Sequence, residues 1–399
     1  MATIYRFTHA LYQNFLYDQL LSKRRVLLHR RAGETLERVY GGQHARVAGA
    51  LATHFERGRD FAKAIAFLIQ AGDTALSRYA NAEAVGLFSR GLELVEKLPE
   101  GQQAEQRAVL LRKRALAQMA LGRLKEAGED YRAVREVCLA AGDLEGECRA
   151  LIGICHVAQN ARDVPSMEQY NPEARALAER IGNQVLIAEV NNAWAVYQMV
   201  CGELVEAETA FERAITVARS LKHRPALVIG LTFSGLVHFW RSDYSVAERV
   251  QGEASLLAAE ARDGFHLPLA LYYLGLTQAN RGRISEGMGS MQQALGWAKR
   301  NNNALALSRI PNGIGWVSRE MGDLGKAIEL NEGCVEFSRR TKSAEAEANA
   351  LLNLVYDYLL AGEPGKSEQA LERILPLYER EHWNRWRFYG LRHNAAQAE

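Results

Sequence analysis

One spacing limits what this chain can fold into. Stepping from Gly122 by 40 residues reaches Arg162, Gly202, Ser242, Gly282, Gly322 and Gly362. The next position in each frame is charged: Arg123, Asp163, Glu203, Asp243, Arg283, Asp323 and Glu363. Glycine readily takes the left-handed conformation that ends a helix, and an acid favours the first turn of the helix that follows. A second series of breaks falls half a period away, at Gly142, Gly182, Lys222, Arg262, Asn302 and Lys342. Each 40-residue unit is therefore expected to hold two helices of about 16–18 residues joined by short polar turns.

Three further columns share this interval. Five residues past each marker stand Ala127, Met167, Ala207, Ala247, Gly287, Ala327 and Ser367. Twelve past it stand Val134, Ala174, Ala214, Ala254, Ala294, Cys334 and Ile374, and seven before it Ala115, Cys155, Ala195, Gly235, Gly275, Gly315 and Val355. Small residues recurring at helical spacing mark the places where two antiparallel helices cross closely. The predicted fold is all-α, a solenoid of about eight stacked helix pairs. The 8 prolines in 399 residues suit long helices.

The pattern resembles the tetratricopeptide repeat (TPR), which implies that the helix pairs wind into a right-handed α-α superhelix (solenoid). That family's small–small–aromatic–small spacing is matched by Ala195, Ala207, Phe211 and Ala214, and by Ala115, Ala127 and Tyr131. The period is longer than the common repeat of about 34 residues. It is similar to the longer repeats of bacterial maltose-activator-type regulators and kinesin light chains, over residues 102–399.

Residues 5–37 carry a second resemblance. Tyr5-Arg6-Phe7-Thr8-His9-Ala10-Leu11, then Tyr17, Leu20-Leu21, Arg24-Arg25, Leu28-His29, Ala32 and Leu36-Glu37 are spaced as in signal-transduction ATPases with numerous domains. In that family the stretch closes a winged-helix domain and helical repeats follow. The resemblance implies that this chain is the C-terminal sensor part of a larger regulator, with the nucleotide-binding residues before Met1. The domain expectations are a linker-like end of a winged-helix region over 1–40, irregular helical repeats over 41–101, regular repeats over 102–381 and a capping helix over 382–399. In that last stretch Trp383, Trp386, Phe388 and Tyr389 are expected to seal the open end of the solenoid. Self-association through the terminal repeats is the alternative use of these aromatics.

Catalytic and cofactor signatures are missing. Gly362-Glu363-Pro364-Gly365-Lys366-Ser367 looks like a phosphate loop, but the first glycine of G-x-x-x-x-G-K-[ST] would fall on Leu360, and no strand pattern precedes it. The five cysteines form no C-x-x-C pair, their number is odd, and no H-E-x-x-H or G-x-S-x-G occurs. No catalysis, metal or cofactor is expected. Basic and acidic residues nearly cancel, 49 against 47, which argues against a general nucleic-acid surface. Unpaired cysteines, a start without signal-peptide layout and the lack of a long apolar run point to a cytoplasmic protein without a membrane partner.

In tetratricopeptide arrays, which this pattern resembles, the first helix of each pair lines the concave surface, and that face is the better candidate. Offsets from the turns place Arg149, His156, Asn160, Asn192, Thr232, Phe239, Trp240, Tyr272, Asn280, Arg309, Asn312, Trp316, Arg319 and Tyr356 there. Asn can bond peptide amides, Arg can clamp a carboxylate and aromatics supply contact area. The same aromatics would also serve simple packing between repeats. The function expected is a non-catalytic scaffold that takes a protein or peptide segment, or a small effector, as the sensor of a signalling ATPase or of a transcriptional or cyclase regulator. A free-standing adaptor for complex assembly is the alternative. On this reading, replacing Arg309 and Arg319 by Ala weakens binding and leaves helicity intact.

Overall fold

The computed structural model describes residues 15–341 and 343–381. The proposed capping helix over 382–399, residues 5–14 of the N-terminal resemblance and the turn residue Lys342 lie outside these. Among the described residues there is no strand. The chain divides into two compact units at Ala117/Gln118.

The first unit holds α1 (Ser22–Tyr40), a 3-10 turn (Gly41–Arg46), α2 (Ala48–Arg57), α3 (Phe61–Ser77), α4 (Asn81–Val95) and most of α5 (Glu100–Ala120). Its core gathers Leu51, Phe55, Leu68, Phe88, Leu94 and Leu110. Asp60 starts α3 by accepting a hydrogen bond from the Lys63 amide, as N-cap acids do.

The second unit carries the regular array. Its helices are α6 (Leu124–Ala141), α7 (Leu144–Ala161), α8 (Val164–Ile181), α9 (Gln184–Cys201), α10 (Leu204–Ser220), α11 (Arg224–Trp240) and α12 (Tyr244–Glu260). Then come α13 (His266–Asn280), α14 (Ile284–Arg300), α15 (Ala304–Leu307), α16 (Ile310–Glu320), α17 (Leu324–Arg340), α18 (Ala344–Leu360) and α19 (Pro364–Glu381). The turn columns behave as the spacing predicts. Every marker from Gly122 to Gly362, and every described residue of the second series, has positive φ, including the non-glycines Arg162, Lys222, Ser242, Arg262 and Asn302. Asp143, Asp163, Asp243 and Asp323 cap the helices that follow.

The small-residue columns lie in the core. Ala127, Ala207, Ala214, Ala247, Ala254, Ala294 and Ala327 have no solvent exposure. The tightest crossing is α13 on α14. A Cβ on Gly275 would stand 2.7 Å from the Gly287 carbonyl oxygen, and one on Gly287 2.6 Å from that of Gly275. Backbone meets backbone there, so no side-chain movement could make room. This is the packing of a TPR-like helical solenoid, the fold the repeat pattern implies.

First helices touch the first helix of the next pair: α7 with α9, α9 with α11, α11 with α13, α13 with α16 and α16 with α18. Second helices do not approach one another comparably among the described residues. The closely spaced layer lies on the inside of a curve, so the first helices line the concave side of this unit. The curvature brings distant turns together. A Cβ on Gly122 would lie 3.2 Å from the Ala304 Cβ.

The array departs from its period twice. Helix α13 begins two residues late, where the Asp263 carboxylate accepts from the amides of Phe265 and His266. The expected single helix over 304–320 is broken into α15 and α16. Pro311 has no amide proton for the Leu307 carbonyl and its ring would crowd that carbonyl, so α15 stops there. The Arg309 amide then bonds Ala306 instead of Leu305.

Candidate functional site

The break after α15 creates a polar centre on the concave face. The Leu305 carbonyl, deprived of its helical partner, accepts from the Ser308 hydroxyl at 2.8 Å and from Arg309 Nη1 at 3.1 Å. This anchors the Arg309 side chain, whose Nη2 reaches Glu345 Oε2. The other carboxylate oxygen, Oε1, accepts from Arg162 Nη2 at 3.2 Å, across 183 residues of sequence. Arg162 sits at the end of α7 in the left-handed conformation, and Glu345 in the first turn of α18, where the helix dipole favours an acid. Side-chain exposures of 10% for each arginine and 7% for Glu345 place all three well inside the surface. Burial works against the Arg309 charge, but the Glu345 carboxylate outweighs it and raises the guanidinium pKa.

This triad borders two cavities. The smaller, about 140 Å³, is lined by Phe239, Trp240, Tyr272, Tyr273, Arg309 and Asn312, together with Arg162 and Glu345. The larger, about 520 Å³, is lined by Asn160, Arg162, Ser308, Glu345 and the turns near 122 and 341, and includes Arg123, Lys125, Glu126 and Arg340. Cations outnumber carboxylates around both. Burial pushes the phenols of Tyr272 and Tyr273 up, so they stay protonated and add no charge.

A second polar cluster lies deeper. Arg319 Nη1 bonds Asp357 Oδ1 at 2.8 Å, Asn331 donates to Asp357 Oδ2 at 2.7 Å, and Asn312 donates to Asn331 at 2.9 Å. Arg319 also lies over the Tyr356 ring, 4.7 Å from its centroid. Asp357 and Asn331 are fully buried.

The sequence-predicted residues thus separate. Phe239, Trp240, Tyr272, Arg309 and Asn312 converge on the smaller cavity, and Asn160 on the larger. Arg319 and Tyr356 belong to the Asp357 cluster. Asn192 is buried and donates to the Ala226 carbonyl, while Thr232 and Asn280 bond carbonyls of their own helices. Trp316 packs on the main core, and Arg149 pairs with Glu145 one turn away. Removal from water, with the nearby His266 charge, pushes the His156 imidazole down to about 4. Sequence reasoning missed Arg162, Glu345, Tyr273 and Asp357. The available signal was weak: Arg162 is a non-glycine in a mostly glycine turn column.

Among the described residues no three His, Cys, Asp or Glu side chains come close enough to hold a metal ion. Burial pushes the Cys148 thiol up to about 11 and those of Cys155 and Cys334 to about 12, which removes them as nucleophiles at neutral pH. Among the described residues no helix is long and apolar enough to cross a membrane.

No protein-family model matches the chain. An uncharacterized protein of Rhizobium meliloti (strain 1021) is 35% identical over 103 residues, 26% of this chain. The matched stretch spans about a tenth of that relative's length. Among solved structures, a Rap protein complexed with competence and sporulation factor superposes with a TM-score of 0.64 at 13% identity, covering 90% of this chain and 99% of its own. The Rap conjugation gene regulator of plasmid pLS20, in complex with the Phr* peptide, gives 0.59 at 15% identity, covering 72% and 77%. Aspartyl phosphate phosphatase F from Bacillus subtilis gives 0.52 at 12% identity, covering 78% and 93%. At these identities the likeness establishes the fold.

Proposed function

We propose that the concave face of the second unit is a receptor surface for a peptide or protein segment, and that the chain acts as a non-catalytic regulatory scaffold. The observation that carries this is the meeting of Phe239, Trp240, Tyr272 and Arg309 around one cavity on the inner helices. A purely structural face has no need to collect three aromatics and a buried cation around unfilled space. Two of the similar structures are complexes, one with competence and sporulation factor and one with the Phr* peptide, which supports the same use of this fold. The wider context proposed is the sensor part of a larger signalling ATPase or of a transcriptional or cyclase regulator. Occupancy would shift the curvature of the array, which requires that the ligand bind its two curvatures with unequal affinity.

The test is affinity capture from the native host with wild type and a Phe239→Ala/Trp240→Ala variant. We expect the partner to be lost from the variant while its circular dichroism stays helical. Equal recovery of the same partner by both proteins contradicts the reading. For the wider context, an ATPase module encoded in frame with this chain is the expected finding.

A further inference from the structure

Two guanidiniums share one carboxylate at the centre of the concave face, and an aromatic cavity opens beside them. We propose that Glu345 is a built-in stand-in for a ligand carboxylate, and that Arg162 and Arg309 seat the C-terminal carboxylate of a peptide whose last side chain, ring-sized and apolar, enters the adjoining cavity. This rests on the peptide-receptor reading above and specifies its chemistry.

Three observations support the seat. First, Arg162, Arg309 and Glu345 carry a net positive charge, and among the described residues Glu345 is the one acid lining the smaller cavity. A buried positive excess attracts an anion far more strongly than an exposed one would. Second, the two arginines come from distant elements, the end of α7 and the start of α16, and reach opposite oxygens of one carboxylate. That is the geometry a carboxylate needs from two donors. Third, the cavity beside them is about 140 Å³ and is walled by Phe239, Trp240, Tyr272 and Tyr273. An apolar cavity of about 150 Å³ is enough for a benzene ring. The larger cavity, on the other side of the triad and bordered by Asn160, leaves a way for the rest of the peptide. Glu345 stands on the first turn of α18, so its displacement would free the contact between the end of α7 and α18.

The seat is tested by chemical rescue. Glu345→Ala is expected to melt about 10 °C below wild type, because two buried cations lose the carboxylate they share. Formate at 100 mM should then raise the variant's melting temperature by about 3 °C or more over chloride at equal ionic strength, while leaving wild type within 1 °C or so. Adding Arg309→Gln to Glu345→Ala should abolish that difference. If Glu345→Ala fails to fold, Arg162→Gln, which keeps the Arg309–Glu345 pair, is used in the ligand arms alone.

The ligand arms use a pool of N-acetylated octapeptides ending in Phe, as free acids and as amides, with 3-phenylpropanoate as the small-acid probe. Wild type should select the acids over the amides about tenfold, and Arg162→Gln should lose that preference. Selection of amides and acids alike overturns the carboxylate seat but leaves the receptor reading standing if host-partner capture still fails with Phe239→Ala/Trp240→Ala. Binding of 3-phenylpropanoate as tight as the peptides overturns the peptide terminus as its source. Equal effects of formate and chloride on Glu345→Ala overturn the seat outright.

Discussion

The stretches 144–260 and 263–360 of the same array use one repeat in two ways. In the first, helices begin at a constant interval, at Leu144, Val164, Gln184, Leu204, Arg224 and Tyr244. Its crossings are filled largely by Ala174, Ala195, Ala207, Phe211, Ala214 and Ala254. In the second, the interval slips at His266 and breaks at Ser308, and the interior holds Arg309, Arg319, Asn331, Glu345 and Asp357. Small apolar columns carry most of the packing of the first stretch. Buried charges contribute little net stability but are severe to unpair, so the second stretch is where a ligand could compete with an internal contact.

The comparison breaks most visibly by unpairing a charge. Asp357→Ala leaves Arg319 and Asn331 without their acceptor and should lower stability by about 3–5 kcal/mol in urea unfolding. In the first stretch, Ala254→Gly should lower it by only about 1 kcal/mol. The Arg309→Ala/Arg319→Ala pair, a plain binding variant on sequence grounds, should now lose stability as well, because Glu345 and Asp357 each lose a buried guanidinium partner. Next in size, Gly275→Ala should cost about 1–3 kcal/mol, since its Cβ would meet the backbone of α14.

Acid should weaken the fold more gently. His29, His54, His156 and His238 all have pKa values lowered from 6.5, chiefly by burial, and His156 lies at about 4. Unfolding lets each bind a proton more readily, so the stability they confer is complete above about pH 6.5 and is lost as pH falls toward 4. A melting temperature that drops by several degrees across that window, and less in His156→Asn, is the expected record. Burial opposes the Asp263 charge, but His266 and two backbone amides hold its carboxyl down at about 2, so its contribution disappears only between pH 3.8 and 2. Smallest of all, Gly252→Ala on α12, where a Cβ meets nothing within 4 Å, should raise stability by about 0.5–1 kcal/mol.

The turns and crossings were legible because they depend on local rules that repeat. Left-handed geometry at Gly122, Arg162 and Gly202, and burial at Ala207 and Ala214, follow from residue type and interval alone. The choice of the first helices as the concave layer came instead from the resemblance to tetratricopeptide arrays. The polar centre was not legible. Arg162 and Glu345 are 183 residues apart, and each has an ordinary local explanation, a turn residue and a first-turn acid. Arg319 was read as a clamp for a ligand because nothing in the sequence says that Asp357 already holds it. Pro311 was visible, but offsets counted from the turns assume an unbroken helix, and its break is what turns Arg309 toward Glu345.

The central claim is that curvature closes the array on itself, so that the end of α7 meets the start of α18. A double-mutant cycle on Arg162→Gln and Glu345→Gln, read by urea unfolding, tests it most directly. We expect a coupling of about 1–3 kcal/mol between these two positions. Additivity within about 0.5 kcal/mol would mean that the two side chains do not meet, and the concave site would fall with them.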